Sequence, residues 1–315
     1  MRDLRIVFMG TPDFAVGSLK ALVEANHNIV GVITAPDKPA GRGQKLQQSA
    51  VKIYALKNQI KVLQPTNLKS EAFLKELKAL DANLQIVVAF RMLPEIVWSM
   101  PAYGTFNLHA SLLPDYRGAA PIHWSIINGE NETGVTTFFI DEKIDTGAII
   151  AFKKTDISTT ETVGSLHDKL TYLGSELVLE TVSLIADDKV QTTIQPEVSN
   201  LKTAYKLHKN NCKIDWNQDL DTICNKIRGL NPFPSAWTTL HNNEDVLDIK
   251  LYDIKKILED HPFKNGKVIV ENGTIKISVK HGFVKIETLQ LPGKRKMDAK
   301  DLLNGFQFSE SAYVV

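Results

Sequence analysis

TFNLHASLLPDYRGAAPIHWSIINGENETGVTTFFIDEKIDT, residues 105–146, places polar side chains at the ends of two apolar segments. The first segment, FNLH, is typical of a strand, in which successive side chains point to opposite faces. Asn107 and His109 are therefore expected on one face of that strand. The β-branched and aromatic residues 134–140 predict a second strand, and Asp145 follows it after a short loop. An amide, an imidazole and a carboxylate are thus expected close to two strand ends.

The N-terminal part of the chain has the pattern of a buried parallel sheet. Continuous apolar segments at residues 4–9, 29–34 and 84–89 predict strands that are buried on both faces. Residues 14–25 predict an amphipathic helix between the first two strands, and such a βαβ unit is almost always right-handed. The pattern favours a doubly wound α/β fold. Gly10 ends the first strand, but without a GxGxxG pattern it does not indicate a dinucleotide site.

The pattern of the chain changes after residue 208. A helix is predicted near residues 220–228, and short strands separated by glycine and asparagine turns follow it, which is typical of a small β-barrel. The predicted strands are residues 236–241, 249–257, 266–271, 274–278 and 282–291. We therefore expect a first domain over residues 1–190, a linker over residues 191–208 and a second domain over residues 209–315.

The composition excludes several classes of protein. The chain has 315 residues, a net charge of +1 and 43% hydrophobic residues, a balance typical of globular domains. No apolar segment approaches the roughly 20 residues that cross a bilayer, and the first residues, MRDLRIVFMG, lack a signal-peptide pattern. The two cysteines have no metal-binding or redox spacing, and reduced thiols are expected. These features predict a cytoplasmic protein.

The central segment carries a recognisable signature: Asn-x-His, then Ser-Leu-Leu-Pro at residues 111–114, then Asp145-Thr146-Gly147 after an apolar strand. This pattern resembles the 10-formyltetrahydrofolate-dependent formyltransferase family, and residues 5–15, 36–43 and 230–234 extend the resemblance over nearly the whole chain. It is closest to the members of the family that act on methionyl initiator tRNA. The resemblance implies a Rossmann-like first domain with a mostly parallel sheet and a small OB-like β-barrel that binds tRNA.

The resemblance also implies roles for particular residues. The catalytic residues are expected to be Asn107, His109 and Asp145. The residues expected to bind 10-formyltetrahydrofolate are Ser111, Leu112, Leu113, Pro114, Phe90, Arg91 and Met92. The predicted loop over residues 35–49 is expected to reach the tRNA through Lys38, Arg42 and Lys45. The implied enzyme formylates the α-amino group of methionine on the charged initiator tRNA, needs no metal and acts as a monomer.

Charge and single residues are weaker signals than the combined signature. Asn107, His109 or Asp145 alone is more often a structural turn or strand-end residue, and a basic loop alone is more often a solvated surface. The basic residues of the second domain can contact phosphate or simply be solvated: Lys264, Lys267, Lys276, Lys280, Lys285, Lys294, Arg295 and Lys296. Competing hypotheses are a formyltransferase for an amino sugar or glycinamide ribonucleotide, a non-catalytic nucleic-acid-binding module and a folate hydrolase.

Overall fold

The computed structural model describes residues 1–40, 45–196 and 199–315. Its contacts divide the chain into two compact units. The first comprises Met1–Gly118, Thr133–Thr155 and His167–Thr203, and the second comprises Ala119–Glu132, Asp156–Leu166 and Ala204–Val315. Because these units interleave along the sequence, the linear bounds at residues 190, 191–208 and 209 stay a prediction. Within the described ranges, none of the helices combines the length and apolarity that crossing a membrane requires.

The helices predicted at residues 14–25 and near residues 220–228 are confirmed, with bounds within one residue. The bounds of the helices are α1 (Asp13–Glu24), α2 (Ala50–Lys57), α3 (Glu71–Ala79), α4 (Glu95–Trp98), α5 (Pro121–Ile127), α6 (Val163–Ala186), α7 (Leu220–Gly229) and α8 (Ala299–Leu303). Side chains explain several helix starts. Ser70 accepts a hydrogen bond from the Phe73 N–H before α3, and Asp219 accepts one from the Thr222 N–H before α7. Both are favoured N-cap residues, because their oxygens satisfy an amide that has no partner within the helix.

The strands of the first part of the chain are short, and most are buried. Their bounds are β1 (Arg5–Gly10), β2 (Asn28–Ile33), β3 (Lys38–Ala40), β4 (Lys45–Gln47), β5 (Val62–Leu63), β6 (Leu84–Val88), β7 (Thr105–His109), β8 (Arg117–Gly118), β9 (Glu132–Phe139) and β10 (Ile149–Asp156). Seven of them form a sheet in the order β10-β9-β7-β6-β1-β2-β5 among the described residues. The pairs β1/β2, β1/β6, β2/β5 and β6/β7 are parallel, whereas β7/β9 is antiparallel. The predicted mostly parallel sheet is confirmed.

Burial on both faces explains why the sequences of these strands are continuously apolar. In β1, the side chains of residues 6–9 are all fully buried, although they alternate between the two faces of the sheet. One face packs on an apolar cluster that includes Met9, Phe73, Leu77 and Val97, contributed by β1, α3 and α4. A strand covered on both faces has no polar side, so its sequence has no period of two.

The predicted loop over residues 35–49 contains a β-hairpin, so the prediction of an irregular loop was wrong for part of it. Strands β3 and β4 pair antiparallel, with Pro39 opposite Leu46. A two-stranded hairpin has only edge strands, and an edge tolerates a proline that cannot donate a hydrogen bond. Residues 41–44, including Arg42, lie outside the described residues.

The second unit contains two antiparallel sheets. Strand β11 (Thr203–Ala204) lies at the boundary between the units along the chain. The strands of the second unit are β12 (Ala236–Asn242), β13 (Asp245–Leu251), β14 (Ile254–Leu258), β15 (Val268–Glu271), β16 (Thr274–Val279), β17 (Gly282–Ile286), β18 (Thr288–Gln290), β19 (Met297–Asp298) and β20 (Tyr313–Val314). One sheet has the order β19-β18-β13-β12-β20 and the other has the order β14-β17-β16-β15. Trp216, Ile223, Ile227 and Val284 belong to the apolar cluster of this unit.

Two predicted strands of this unit are each broken in the structure, which corrects the sequence analysis. Residues 249–257 change from one sheet to the other after Leu251, and residues 282–291 do so at Glu287. The two breaks are hydrogen-bonded to each other, because the Glu287 and Thr288 N–H groups donate to the Asp253 carbonyl at 2.9 and 3.1 Å. Strands that switch sheets in this way form the corners of small β structures. The OB-like form of the predicted barrel stays a prediction.

Candidate active site

Strand β7 presents the first two predicted catalytic residues on one face. Asn107 lies between Val87 of β6 and Phe138 of β9, and His109 pairs with Thr136 of β9. Asn107 is half-buried and His109 is 6% exposed. The alternate residues of β7 face the opposite side and are buried in the core. The predicted strand is confirmed, and in a strand Asn107 and His109 share one face.

The hydrogen bond at Nε2 determines which nitrogen of the His109 ring carries the proton. Nε2 lies 2.8 Å from the carbonyl oxygen of Tyr116. A carbonyl oxygen only accepts, so Nε2 carries a proton, and in the neutral ring the lone pair is on Nδ1. Nδ1 lies 3.8 Å from Oδ2 of Asp145. The turn that supplies the carbonyl contains Tyr116 at a φ of 61°, a left-handed conformation that is uncommon for a bulky residue.

Asp145 follows strand β9 in a loop with an unusual backbone. Its φ is 56°, its side chain is 14% exposed, and Oδ2 accepts a hydrogen bond from the Gly118 N–H at 2.9 Å. At Gly147, a Cβ atom would lie 1.7 Å from the carbonyl oxygen of Phe139, so only glycine fits where the chain leaves the loop. The loop therefore carries a largely buried carboxylate beside His109. The predicted trio of amide, imidazole and carboxylate belongs to the first unit.

The side-chain amide of Asn107 is available to a ligand. Across residues 1–40, 45–196 and 199–315, no group of the chain forms a hydrogen bond with it. Among those same residues, the buried side-chain atoms that lack a partner do not include Asn107, so its polar atoms retain access to solvent. A half-buried amide donor on the same strand face as His109 can thus donate to an oxygen that binds there.

The Ser-Leu-Leu-Pro segment is held in place by its own hydrogen bonds. The Ser111 hydroxyl is fully buried and donates to the Asp115 carbonyl at 2.7 Å. Thr136 donates to the Ser111 carbonyl at 2.7 Å and accepts from the Leu113 N–H at 3.2 Å. Leu113 is buried, whereas Leu112 and Pro114 are half-buried. Ser111 therefore stabilises the turn after β7 internally, and the half-buried residues are the ones with surface to offer a ligand.

The segment Phe90-Arg91-Met92 follows β6, and its last two residues, Arg91 and Met92, border a cavity of about 470 Å³. The guanidinium of Arg91 donates to the carbonyls of Pro65 and Thr66, the latter at 3.0 Å. Met92 is 69% exposed, and Phe90 packs partly against the apolar cluster of the first unit. Arg91 thus joins the loops that follow β5 and β6.

A second cavity, of about 640 Å³, adjoins the loop that carries Asp145. The residues around it are Trp98, Arg117, Asp141, Glu142, Lys143, Thr146, Gln195 and Pro196. The sequence analysis did not identify Gln195, which falls in the predicted linker and has no periodic or motif signal around it. In the structure this side chain is 7% exposed and contacts the loop of Asp145.

The structure describes only some of the predicted tRNA-binding residues. Lys38 is exposed on β3, and the backbone of Lys45 belongs to β4. Arg42 lies outside the described residues. In the part of the chain that the structure describes, no group of three histidine, cysteine, aspartate or glutamate side chains is arranged to hold a metal ion.

Comparisons with known proteins follow the division of the sequence. Residues 4–182 match the model of the formyl transferase family, and residues 206–307 match the model of the formyl transferase C-terminal domain. The matched family models therefore define a formyl transferase, and the fold agrees with them. The methionyl-tRNA formyltransferases of Flavobacterium johnsoniae and Flavobacterium psychrophilum are 59% and 60% identical over 100% of both chains. That of Bacteroides thetaiotaomicron is 52% identical over 98% of this chain and 97% of its own. The chain belongs to the methionyl-tRNA formyltransferase family.

Solved structures share the fold at lower sequence identity. HypX from Aquifex aeolicus, in complex with tetrahydrofolic acid, has a TM-score of 0.65 and 18% identity, with 96% of this chain and 47% of that chain covered. This chain thus spans about half the length of that HypX chain. WlaRD, a sugar 3N-formyl transferase, has a TM-score of 0.65 and 23% identity over 94% of this chain and 100% of its own. At these identities the likeness concerns the fold alone.

Proposed function

We propose that the chain transfers the formyl group of 10-formyltetrahydrofolate to the α-amino group of methionine on the charged initiator tRNA, for translation initiation. The observation that carries this proposal is the grouping of Asn107, His109 and Asp145 in a chain that matches methionyl-tRNA formyltransferases over its whole length. The donor brings the activated formyl group, so the protein has to bind, orient and move protons.

In the proposed reaction, the amine nitrogen attacks the formyl carbon, and the bond from that carbon to N10 of the folate breaks. The carbonyl oxygen becomes an oxyanion in the tetrahedral intermediate. A donor that is already in position for this charge is often the largest catalytic contribution. Asn107 supplies that donor, since its amide has no other partner among the described residues and lies on the same face as His109.

His109 and Asp145 handle the proton. The Tyr116 carbonyl keeps the Nε2 proton in place, so Nδ1 takes the proton that the attacking amine loses. At 3.8 Å, Nδ1 and Oδ2 of Asp145 do not hydrogen-bond each other directly. A nitrogen or oxygen atom beside the pair can reach both at about 2.8 Å. The carboxylate stabilises the imidazolium until the proton passes to the N10 nitrogen that leaves.

Binding of the two substrates extends the proposal beyond the catalytic trio. The residues assigned to the folate are Phe90, Arg91, Met92, Ser111, Leu112, Leu113 and Pro114, with Ser111 acting through the shape of the turn. Lys38, Arg42 and Lys45 are assigned to the tRNA, and the exposure of Lys38 on β3 supports this assignment. The domain bounds of 1–190 and 209–315, a monomeric state and a cytoplasmic location complete the proposal.

An acceptor screen tests the proposed function. Purified protein is incubated with labelled 10-formyltetrahydrofolate and, separately, charged methionyl initiator tRNA, glycinamide ribonucleotide or an amino-sugar nucleotide. We expect label on the methionine of the tRNA, and strongly reduced label with the Asn107→Ala variant. Label on the sugar or the ribonucleotide instead would overturn the proposed acceptor. Release of free formate without any acceptor would show a folate hydrolase.

A further inference from the structure

Gln195 uses both ends of its side chain within the site. Nε2 donates to the carbonyl of Asp145 at 2.9 Å and to the carbonyl of Gly147 at 2.8 Å. Oε1 accepts from Nε and Nη2 of Arg117, at 3.1 and 2.6 Å. Because the amide has two N–H groups, both donors are in use. One nearly buried glutamine thus links the loop of Asp145 to the strand β8 residue Arg117.

The position of these hydrogen bonds matters because of the backbone at Asp145. A φ of 56° is disfavoured for a residue with a Cβ atom, and such a conformation persists when surrounding contacts hold it. Gln195 binds the carbonyl of that same residue, on the backbone side, while Gly118 binds the carboxylate. The two contacts together determine where Oδ2 stands relative to Nδ1 of His109.

The segment that carries Gln195 has a separate backbone anchor. Thr193 and Ile149 exchange two hydrogen bonds, each of 2.8 Å, in an antiparallel bridge. That bridge does not involve the Gln195 side chain, so replacing the side chain leaves the segment attached beside β10. The backbone bridge therefore already holds this segment in place. The role that remains for the side-chain amide of Gln195 is to orient the loop of Asp145.

We propose that Gln195 is a positioning residue for the transfer reaction, acting through Asp145, whose proton-handling role is part of the proposed function. The amide holds the loop so that the carboxylate stays beside Nδ1 of His109. A displacement of about 1 Å at a reacting group can cost roughly 100-fold in rate. Loss of the two amide donors should thus lower the turnover number more than the affinity for either substrate.

The test compares Gln195→Met, which keeps the length and loses the hydrogen bonds, with a matched control. In the second unit, Gln290 is half-buried, donates to the Lys294 carbonyl at 2.7 Å and accepts from the Tyr252 hydroxyl at 2.8 Å. Gln290→Met therefore removes one donated and one accepted hydrogen bond away from Asp145. We expect a kcat about 10-fold to 100-fold lower for Gln195→Met, with KM values changed by about twofold at most. Gln290→Met should keep the kcat of the parent protein.

A double-mutant cycle with Asp145→Asn identifies the route of the effect. If Gln195 acts through Asp145, Gln195→Met should lower kcat by less than about threefold once the carboxylate is absent, because groups that act as a unit are not additive. Independent, multiplying losses would overturn the inference. If Asp145→Asn alone turns over normally, the catalytic role proposed for Asp145 fails, and the role of Gln195 through Asp145 fails with it. A slow Asp145→Asn beside a normal Gln195→Met overturns only the role of Gln195.

Gln195→Glu separates the two ends of the side chain. The carboxylate still accepts from Arg117 but cannot donate to the carbonyls of Asp145 and Gly147. We expect its kcat to be as low as that of Gln195→Met. A kcat restored to the parent value would show that Arg117 is the partner that matters and would overturn the inference. Failure of both variants to fold would also overturn it, since Gln195 would then be a structural residue.

Discussion

At the scale of single residues, both ring nitrogens of His109 face atoms that accept hydrogen bonds. Nε2 donates to the Tyr116 carbonyl, and Nδ1 lies near the Asp145 carboxylate. A proton that arrives on Nδ1 therefore meets a negative charge in a site that is largely shielded from water. The Asn107 amide stands on the same strand face. The proposed function therefore gives proton transfer and oxyanion stabilisation to different side chains.

These two separate roles predict the effect of removing the side chain of Asn107 or that of His109. Asn107→Ala should lower kcat by about 10²–10³, the usual loss for one oxyanion-stabilising donor. His109→Ala should lower kcat by about 10²–10⁴, the usual contribution of general acid–base catalysis. Steady-state kinetics together with circular dichroism provides the measurement. Asn58→Ala, an exposed residue that follows α2, is the control and should keep full activity. A folded Asn107→Ala protein with normal turnover would remove that amide from the mechanism.

Asp145 is tested by a change that keeps its shape. Asp145→Asn can still accept the hydrogen bond from Gly118, but it loses the charge next to Nδ1 of His109. We expect kcat to fall by about 10²-fold or more, while the Kd for the folate donor changes by about threefold at most. Single-turnover rates and donor titrations measure the two effects separately. If donor affinity collapses while single-turnover chemistry survives, Asp145 binds folate instead of handling the proton.

The residues of the site differ in how well sequence alone predicts them. Asn107 and His109 could be predicted, because alternation along a strand is a local property. Gln195 could not, since its partners Asp145 and Arg117 lie 50 and 78 residues away, and its own segment has no pattern. The Tyr116 carbonyl that sets the ring of His109 also depends on a turn geometry that residue identity does not specify.

At the scale of secondary-structure elements, the strands of the first unit could be predicted from local sequence, whereas the strand breaks of the second unit could not. The parallel strands were predictable because burial on both faces produces continuous apolar segments. The corners of the second unit were not, because they depend on contacts between distant residues. Asp253 and Thr288 are 35 residues apart, yet the Asp253 N–H donates to the Thr288 hydroxyl at 2.9 Å. No local pattern in either segment indicates that both strands break there.

The corner at Asp253 predicts a dependence of stability on pH. Burial acts to raise the pKa of Asp253, but hydrogen bonds from Thr288, Lys296 and Asn231 outweigh it, so the pKa lies below its ordinary value. A carboxylate with a lowered pKa in the folded state stabilises the protein above its unfolded pKa of about 3.9. That stabilisation is lost as the pH falls through the lower, folded value.

Asp253→Asn should therefore lower the melting temperature at pH 7 by about 2–4 °C, which corresponds to about 1 kcal/mol for a chain of this size. The half-exposed side chain argues against a larger effect. Below about pH 4 the difference between variant and parent should shrink. Thermal melts between pH 3 and pH 7, in steps of about half a unit, provide the measurement. A constant difference across this range would show that the charge of Asp253 does not stabilise the corner.

At the scale of the whole molecule, net charge says little about where a polyanion binds. The chain has 37 basic and 36 acidic side chains, so an overall attraction to nucleic acid is small. The structure instead sorts the basic residues of the second unit by their partners. Lys276 pairs with Glu271, Lys285 with Glu287 and Lys296 with Asp253. Within residues 1–40, 45–196 and 199–315, no carboxylate forms an ion pair with Lys264, Lys280, Lys294 or Arg295.

This difference between paired and unpaired basic residues leads to a prediction about the salt dependence of tRNA binding. Lys294 and Arg295 are adjacent, exposed and without an acidic partner among the described residues, so they are free to neutralise phosphates if the second domain binds tRNA. Each phosphate contact contributes about 0.7–0.9 to the slope of log affinity against log salt concentration. The double variant Lys294→Ala, Arg295→Ala should therefore bind charged tRNA more weakly at low salt and reduce that slope by about 1–2.

The control is Lys285→Ala, which should leave the slope unchanged, because the Lys285 side chain lies 2.8 Å from Glu287 in the parent protein. Binding titrations from about 50 to 200 mM salt measure the slopes. An unchanged slope in the double variant would exclude these two residues from the tRNA-binding surface.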